Sequence, residues 1–417
     1  MSKVMQAVQR KASLTYSLFD PAPCNFPVSR VSLLPCMKSR TGIIDAKNSN
    51  FELVGRNRVS RLYTRGRYAL YEAYRLCGVG PEGGLLAPAY HCRTMLDPAI
   101  SLDARVSLYP LSPSLAPDLN KIADYLSTLQ QRPRAMLLTH YFGFPQDAAK
   151  VKAFCDRHGM ALIEDCSHAL FNLSEAPELG QHGRYTIASP YKLLPCEEGG
   201  LLIAADDHDF DARHPQRPGL GREIRTFATA LTRIGQDRKR RITQADVDLL
   251  PDAVNRLQSR KLARGIEHSS RKPQVSDLYI KAEAAIAGSI ASKLLIKISS
   301  LPQAVAMRRE NYLAWHRNVQ DLPHCKPLFT ALPDGCVPYM FPLVIDFPQD
   351  HFYALKTMGM PIWRWDDMAW SSCSTAQKYR QHLLHLPCHQ SLSEVEMRWM
   401  MSAVALVMTR VPQRGNS

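Results

Sequence analysis

Three stretches of the 417-residue chain set polar, reactive side chains against short apolar runs. Glu164, Asp165, Cys166, Ser167 and His168 follow the run from Met160 to Ile163. Pro88, Ala89, Tyr90 and His91 follow the run from Gly84 to Ala87. Ser189, Pro190, Tyr191 and Lys192 stand ahead of Gly199, Gly200 and the run from Leu201 to Ala204. Alone, Asp165 reads as a loop or helix-capping acid, and Lys192 as one surface lysine among many. A carboxylate at the end of an apolar strand must nevertheless be solvated or paired, and an amine and an acid brought together suit one chemistry well. Pyridoxal 5′-phosphate takes a lysine amine as its Schiff-base partner and an acid against its pyridine nitrogen. At contact that charge pair is worth about 4 kcal/mol at an effective dielectric of roughly 20. The cofactor also needs an aromatic face and a cup of backbone N–H groups at a helix start. Tyr90 is the candidate for the face, Gly66, Arg67 and Tyr68 for the cup, and Ser189 for an added hydroxyl.

The elements that must position these residues alternate between two periods. Tyr68, Ala69, Leu70, Ala73 and Leu76 recur at helical spacing after Gly66, and Gly78 and Gly80 end the pattern. Strands are expected at Gly84 to Ala87, Val106 to Tyr109, Ala135 to Thr139, Met160 to Ile163 and Leu201 to Ala204, with a helix from Asp147 to His158 closed by Gly159. Short apolar runs alternating with helices predict an α/β fold. Its large domain holds a mainly parallel, seven-stranded type of sheet with helices on both faces. Ligands of such sheets sit at the carboxyl ends of the strands, which is where the reactive residues fall. We expect residues 1–50 to be an irregular, proline-interrupted N-terminal arm and 51–275 the large domain, with a basic, polar insertion over about 205–275. Residues 276–417 then form a linking helix (about Leu278 to Trp315) and a small C-terminal α+β domain with a strand over Tyr339 to Ile345 and helices over His351 to Met358 and Ser393 to Met408.

The bulk numbers narrow the class. No run of about 18 uncharged apolar residues occurs, so no membrane span is expected, and Lys3, Arg10 and Lys11 are followed by no apolar signal core. Eleven cysteines without a CxxC pair argue for reduced thiols in a cytoplasmic setting rather than a disulfide framework or a zinc site, and no metal is expected. The formal charge of +14 concentrates in Arg213 to Arg241 and Arg256 to Lys272. These stretches are almost without aromatics and carry no nucleic-acid motif, so they read as solvated basic surface and no nucleic-acid partner is expected.

The ordered motifs resemble the DegT-type aminotransferases of the fold type I, aspartate aminotransferase superfamily, which include sugar aminotransferases. Gly66 to Leu70 is similar to the family's phosphate-binding Gly-Thr-Ser-Ala-Leu, Pro88-Ala89-Tyr90 to its Pro-Ser-Phe, and His140 to Gly143 to its His-Leu-Tyr-Gly. Glu164 to Ala169 is similar to Glu-Asp-Ala-Ala-Gln-Ala, Lys192-Leu193-Leu194 with Gly199-Gly200 to its Schiff-base lysine and glycine pair, and Leu386 to His389 with Leu392-Ser393-Glu394 to a C-terminal Leu-Pro-Leu-His…Leu-Thr-Glu. The resemblance covers residues 60–205 well. It implies that Lys192 carries the cofactor and moves protons, that Asp165 pairs with the pyridine nitrogen, and that His168 stands where the family has a glutamine facing the ring oxygen. Tyr90 would stack on the ring, and Gly66, Arg67 and Ser189 would serve the phosphate. Two departures stand out: Ile187 occupies the position of the family's phosphate serine, and Arg67 replaces a hydroxyl residue.

The resemblance implies an enzyme that passes an amino group from an amino acid, glutamate by expectation, to a small-molecule keto acceptor, a nucleotide-linked keto sugar of polysaccharide or natural-product biosynthesis. It also implies a homodimer. Lysine at 192 favours amino transfer over dehydration. Two alternatives stay open: a non-catalytic sensor or scaffold with this fold, and a pyridoxal phosphate enzyme with a non-sugar acceptor. Among the remaining candidates, His91, His140 and His158 read as structural, Glu197 and Glu198 as solvated turn residues, and Trp363, Trp365 and Trp370 as small-domain core in preference to a substrate lid.

Overall fold

The computed structural model describes residues 16–20, 26–36, 58–171, 178–239, 242–258, 266–271, 275–299, 301–365 and 367–411. Its main sheet has seven strands. They are β2 (Val59–Tyr63), β3 (Gly84–Pro88), β4 (Val106–Tyr109), β5 (Pro133–Thr139), β6 (Ala161–Asp165), β7 (Tyr185–Ala188) and β8 (Gly200–Ala204), in the order β2-β8-β7-β6-β5-β3-β4. From β7 to β4 all neighbours are parallel, while β8 runs antiparallel to β7 and β2 antiparallel to β8. The mainly parallel sheet expected from the alternating texture is what forms; beside the five strands read from that texture it holds β2 and β7, which makes it the seven-stranded type. Every residue of β3, β7 and β8 is buried, as befits strands covered on both faces.

The crossovers are helices: α1 (Gly66–Leu76), α2 (Asp97–Ser101), α3 (Leu119–Thr128) and α4 (Ala148–Arg157). Asp118 and Asp147 start α3 and α4 by accepting hydrogen bonds from the amides of Lys121 (3.2 Å) and Lys150 (3.0 Å), which satisfies donors that the first helical turn leaves unpaired. Short strands β10 (Cys325–Pro327), β11 (Met340–Ile345) and β13 (Leu383–Pro387) make a second, antiparallel sheet with β11 at its centre. Helices α9 (Leu301–Val319), α10 (Pro348–Thr357), α11 (Ser374–His382) and α12 (Glu394–Arg410) accompany it.

Three expectations are corrected. The single helix from Leu278 to Trp315 is instead a 3-10 turn (Lys281–Ala285), α8 (Ile290–Ile298) and α9. Gly288 causes the first break: its amide donates to Leu62 O at 2.9 Å, and a Cβ there would fall 2.7 Å from the Leu62 side chain, so the chain passes extended beside β2. The basic stretch 205–275 is largely helical in its described part, with α5 (Leu220–Lys239), α6 (Gln244–Asp248) and α7 (Leu250–Gln258). Leu250, Val254 and Leu257 bury one face of α7, which packs on α12, and Arg30 pairs with Asp246 of α6. This stretch is therefore part of the packed structure and not only solvated surface. The side chains of the cluster 238–241 lie outside the described residues, as does most of the N-terminal arm. One piece of that arm, β1 (Tyr16–Asp20), is a strand between β9 (Ile266–Arg271) and β12 (Met368–Ala369) in a third sheet, contrary to the irregular arm expected.

Trp315 of α9 is fully buried, and its Nε1 donates to Pro387 O of β13 at 2.9 Å. Trp315→Ala is expected to cost about 3–5 kcal/mol, read as a lowered midpoint in urea unfolding; an unchanged midpoint would show that α9 does not support the small sheet.

Candidate active site

The sheet order brings the exits of β3, β6 and β7 to one edge, and the reactive residues meet there. Asp165 ends β6 with only 3% of its surface exposed. Its Oδ1 accepts from the Ser167 amide at 2.9 Å, and its Oδ2 lies 3.2 Å from His91 Nε2. Burial opposes the charge, but the hydrogen bond and charge of His91, together with the charge of Lys192, hold the carboxyl well below the ordinary carboxylate range. Lys192 closes a 3-10 turn (Pro190–Lys192) just past β7. A cleft opens among Gly66, His91, Cys92, Asp165, Ser189 and Lys192.

Close backbone packing shapes one end of this cleft. A Cβ on Gly66 would lie 2.4 Å from Ser189 Oγ, and one on Gly200 would lie 2.2 Å from the Arg65 carbonyl. Ser189 Oγ donates to Ser167 Oγ at 3.0 Å. Two glycines thus let the N-terminus of α1 approach the lysine turn, and the first amides of a helix are unpaired donors suited to an anion. An ionised buried acid, a lysine and a glycine-lined helix start in one cleft fit a phosphorylated pyridine aldehyde.

Some predicted residues lie elsewhere. Tyr90 is fully buried behind the cleft: its hydroxyl lies 3.1 Å from His385 Nε2 and its ring packs on Trp365 at 4.8 Å. The wall assigned to it is made by the next two residues, His91 and Cys92, and His91 stacks on Trp365 at 5.1 Å and 21°. Tyr68 points away from the cleft; its hydroxyl accepts from the Ile280 amide at 3.2 Å and its ring meets Tyr279. Arg67 reaches the cleft edge while donating to Leu278 O. His168 lies behind the lining, stacked on Tyr339 at 4.4 Å, and its Nδ1 accepts from the Phe142 amide at 3.3 Å. Burial and the charge of Lys192 push His168 well below the usual histidine range, so it is neutral.

The other candidates sort by their partners. His140 is structural. Its Nε2 lies 3.1 Å from Glu164, whose carboxylate also accepts amides from Gly180, His182 and Gly183. With Cys166 these two residues form a group spanning under 4.8 Å, but the donors already around Glu164 explain its burial. Glu198 is no solvated turn residue: it is buried against Arg222 at 2.9 Å, and the same guanidinium holds Glu283 at 3.0 Å. Of the tryptophans, Trp365 is core, whereas Trp363 and Trp370 are about half exposed. Asp367 pairs with Arg93 at 3.6 Å, and Asp366 lies outside the described residues.

Comparison with known proteins agrees with this geometry. Residues 60–240, which hold every residue of the cleft, match the model of one family. That model is of the DegT/DnrJ/EryC1/StrS aminotransferase family. An L-glutamine:scyllo-inosose aminotransferase of Streptomyces griseus is 26% identical over 254 residues, which are 58% of this chain and 58% of the relative; the chain thus matches little more than half that relative's length. The aminotransferase TlmJ from Streptoalloteichus hindustanus superposes with a TM-score of 0.56 at 18% identity, covering 85% of this chain and 86% of that one. Helicobacter pylori PseC, an aminotransferase involved in pseudoaminic acid biosynthesis, gives 0.60 at 13% identity over 92% and 99%. At these identities the structural likeness speaks for the fold, and it extends beyond the matched segment into the small sheet.

One member of this cleft, Cys92, is not among the residues expected from the sequence. Cys92 Sγ lies 3.3 Å from His91 Nδ1 and 3.2 Å from Thr94 Oγ1. Burial alone would raise this thiol, but the charge and hydrogen bond of His91, with Lys192 adding, bring it down to about 7. Burial likewise opposes the charge on His91, and Cys92 and Asp165 push it up to about 9. By contrast burial raises Cys77 and Cys325 to about 12. Iodoacetamide at pH 7 should therefore modify Cys92 at least about tenfold faster than Cys77 or Cys325, as followed by peptide mass spectrometry, and His91→Gln should remove the advantage. Equal rates would contradict the Cys92–His91 pairing.

Proposed function

We propose that this chain is a pyridoxal 5′-phosphate-dependent aminotransferase that carries an amino group from an amino acid to the keto group of a sugar. The observation that carries this reading is the cleft shared by Asp165, ionised and buried, and Lys192, set at the glycine-lined start of α1. The cofactor, when bound, supplies an aldehyde carbon that exchanges amines and a pyridine ring that draws electrons from the substrate carbon.

The chain's own residues take the following parts. Lys192 presents the amine that holds the cofactor and then moves a proton at the substrate carbon. Asp165 keeps its negative charge against the pyridine nitrogen, because its two oxygens are fixed by Ser167 N and His91 Nε2. A carboxylate fixed and dried in this way does not have to reorganise as charge develops. The α1 amides at Gly66 and Arg67, with Ser189 nearby, take the phosphate. His91 and Cys92 wall the ring, with Trp365 behind His91.

The amino donor in this reading is glutamate or its amide; the S. griseus relative is named for L-glutamine and scyllo-inosose. A nucleotide-linked keto sugar suits the positive cleft edge of Arg65 and Arg67 and the net charge of +14. A homodimer is part of the reading: Leu220, Ile224 and Phe227 of α5 and Ile290 and Leu294 of α8 stand exposed on helices that pack together, the kind of apolar face a second copy covers.

The test supplies cofactor, L-glutamate or L-glutamine, and a panel of nucleotide-linked keto sugars and keto cyclitols, with products read by mass spectrometry. Wild type should yield an aminated acceptor. Lys192→Ala should yield none, and Asp165→Asn should lose about 100-fold or more in kcat/KM. Asp165→Asn at wild-type rate would overturn the assignment.

A further inference from the structure

The interior holds a charge that the amino-transfer reading does not use. Arg308 of α9 is fully buried, and no carboxylate pairs with it among the described residues. Its bonds run to three other parts of the chain. Nε donates to Gln390 Oε1 at 2.8 Å, Nη1 to Pro338 O at 3.2 Å and Tyr339 O at 3.0 Å, and Nη2 to Leu193 O at 3.2 Å. Gln390 Nε2 donates to the same Leu193 carbonyl at 2.8 Å, so Arg308, Gln390 and Leu193 close a ring of three bonds.

Burying a guanidinium without a counter-ion is costly unless every donor is used. Burial lowers Arg308 to about 10, so it keeps its proton at neutral pH. A planar fork of five N–H groups can hold carbonyls from several directions at once. What it holds is informative. Leu193 directly follows Lys192, in a turn that lies outside the sheet ladders; the turn's own bonds are the Lys192 amide donating to Ser189 O and the Leu193 and Leu194 amides donating to Pro190 O. Tyr339, whose carbonyl takes a second arm of the fork, sets its ring 5.9 Å from Lys192 Nζ and stacks on His168.

We propose that Arg308 and Gln390 are positioning residues that clamp the Lys192 turn to the small sheet and thereby fix where the Lys192 amine stands in the cleft. This rests on Lys192 being the reacting amine. Arg308 comes from α9 and Gln390 from the loop ahead of α12, so the lysine's place is set from the C-terminal part of the chain as well as by β7. Neither side chain touches the cleft; both act through the backbone at Leu193 and Tyr339.

The test uses the full chain, first free of cofactor, and compares wild type with Gln390→Leu, Arg308→Met and Arg308→Lys. Hydrogen–deuterium exchange of the peptide spanning 190–196 should speed about tenfold or more in Gln390→Leu and Arg308→Met while exchange in β5 stays as in wild type, and Arg308→Lys should restore part of the protection. On adding pyridoxal 5′-phosphate, the concentration giving half of the visible absorbance band should rise about tenfold in Gln390→Leu. Unchanged exchange at 190–196 in Gln390→Leu would overturn the clamp. So would exchange that rises equally there and in β5, since that is loss of stability alone. Should Arg308→Met fail to fold, Gln390→Leu decides. A wild type that forms no band would instead overturn the cofactor reading of Lys192, with the clamp still decided by exchange.

Discussion

A carboxylate stripped of water at the end of a strand is the constraint that organises this molecule. Asp165 stays ionised only because donors converge on it. One is the Ser167 amide, supplied by the turn that β6 makes as it leaves the sheet. Another is His91, delivered by the exit of β3, two strands away in the sheet order. The parallel register of β3, β5, β6 and β7 is what places these exits side by side. Misplacing β6 by one residue would turn Asp165 to the other face and leave a buried charge unanswered.

The second constraint is room. Gly66 and Gly200 stand where a methyl group would strike Ser189 or the Arg65 carbonyl. They allow a helix start, a strand start and the lysine turn to crowd together around one cleft. Beyond that crowding, the rings of Tyr90, Trp365, His385, Phe142, His168 and Tyr339 form a continuous buried layer. The layer forms the floor behind the cleft, and Arg308 joins the lysine turn at Leu193 to the backbone of Tyr339 in that layer.

Much of the fold is legible because burial on both faces leaves its mark in composition. Met136, Leu137 and Leu138 of β5 and Leu202 and Ile203 of β8 can be little else than interior strands. β2 escapes because its buried Arg61 owes its place to the Phe210 ring beneath the guanidinium at 4.2 Å, a contact distant in sequence. The helix expected from Leu278 to Trp315 looks continuous because apolar residues run through it; what divides it is Gly288 pressing against Leu62, again a long-range event. In the cleft, Asp165, Lys192, Gly66 and Ser189 gather as their order along the chain implies. Tyr90 does not line it, because past Pro88 the chain has left the sheet and alternation no longer tells which side chain faces inward; His91 and Cys92 do. Arg308 and Gln390 carry no local pattern at all, since their meaning lies in carbonyls from two distant segments.

The claim that Asp165 and Lys192 form one cofactor site is tested most directly by chemical trapping. Protein incubated with pyridoxal 5′-phosphate is reduced with sodium borohydride, digested and mapped by mass spectrometry. The account predicts a phosphopyridoxyl mass on the peptide carrying Lys192, with other lysines unlabelled at stoichiometric cofactor. Label spread over surface lysines with Lys192 bare would contradict it.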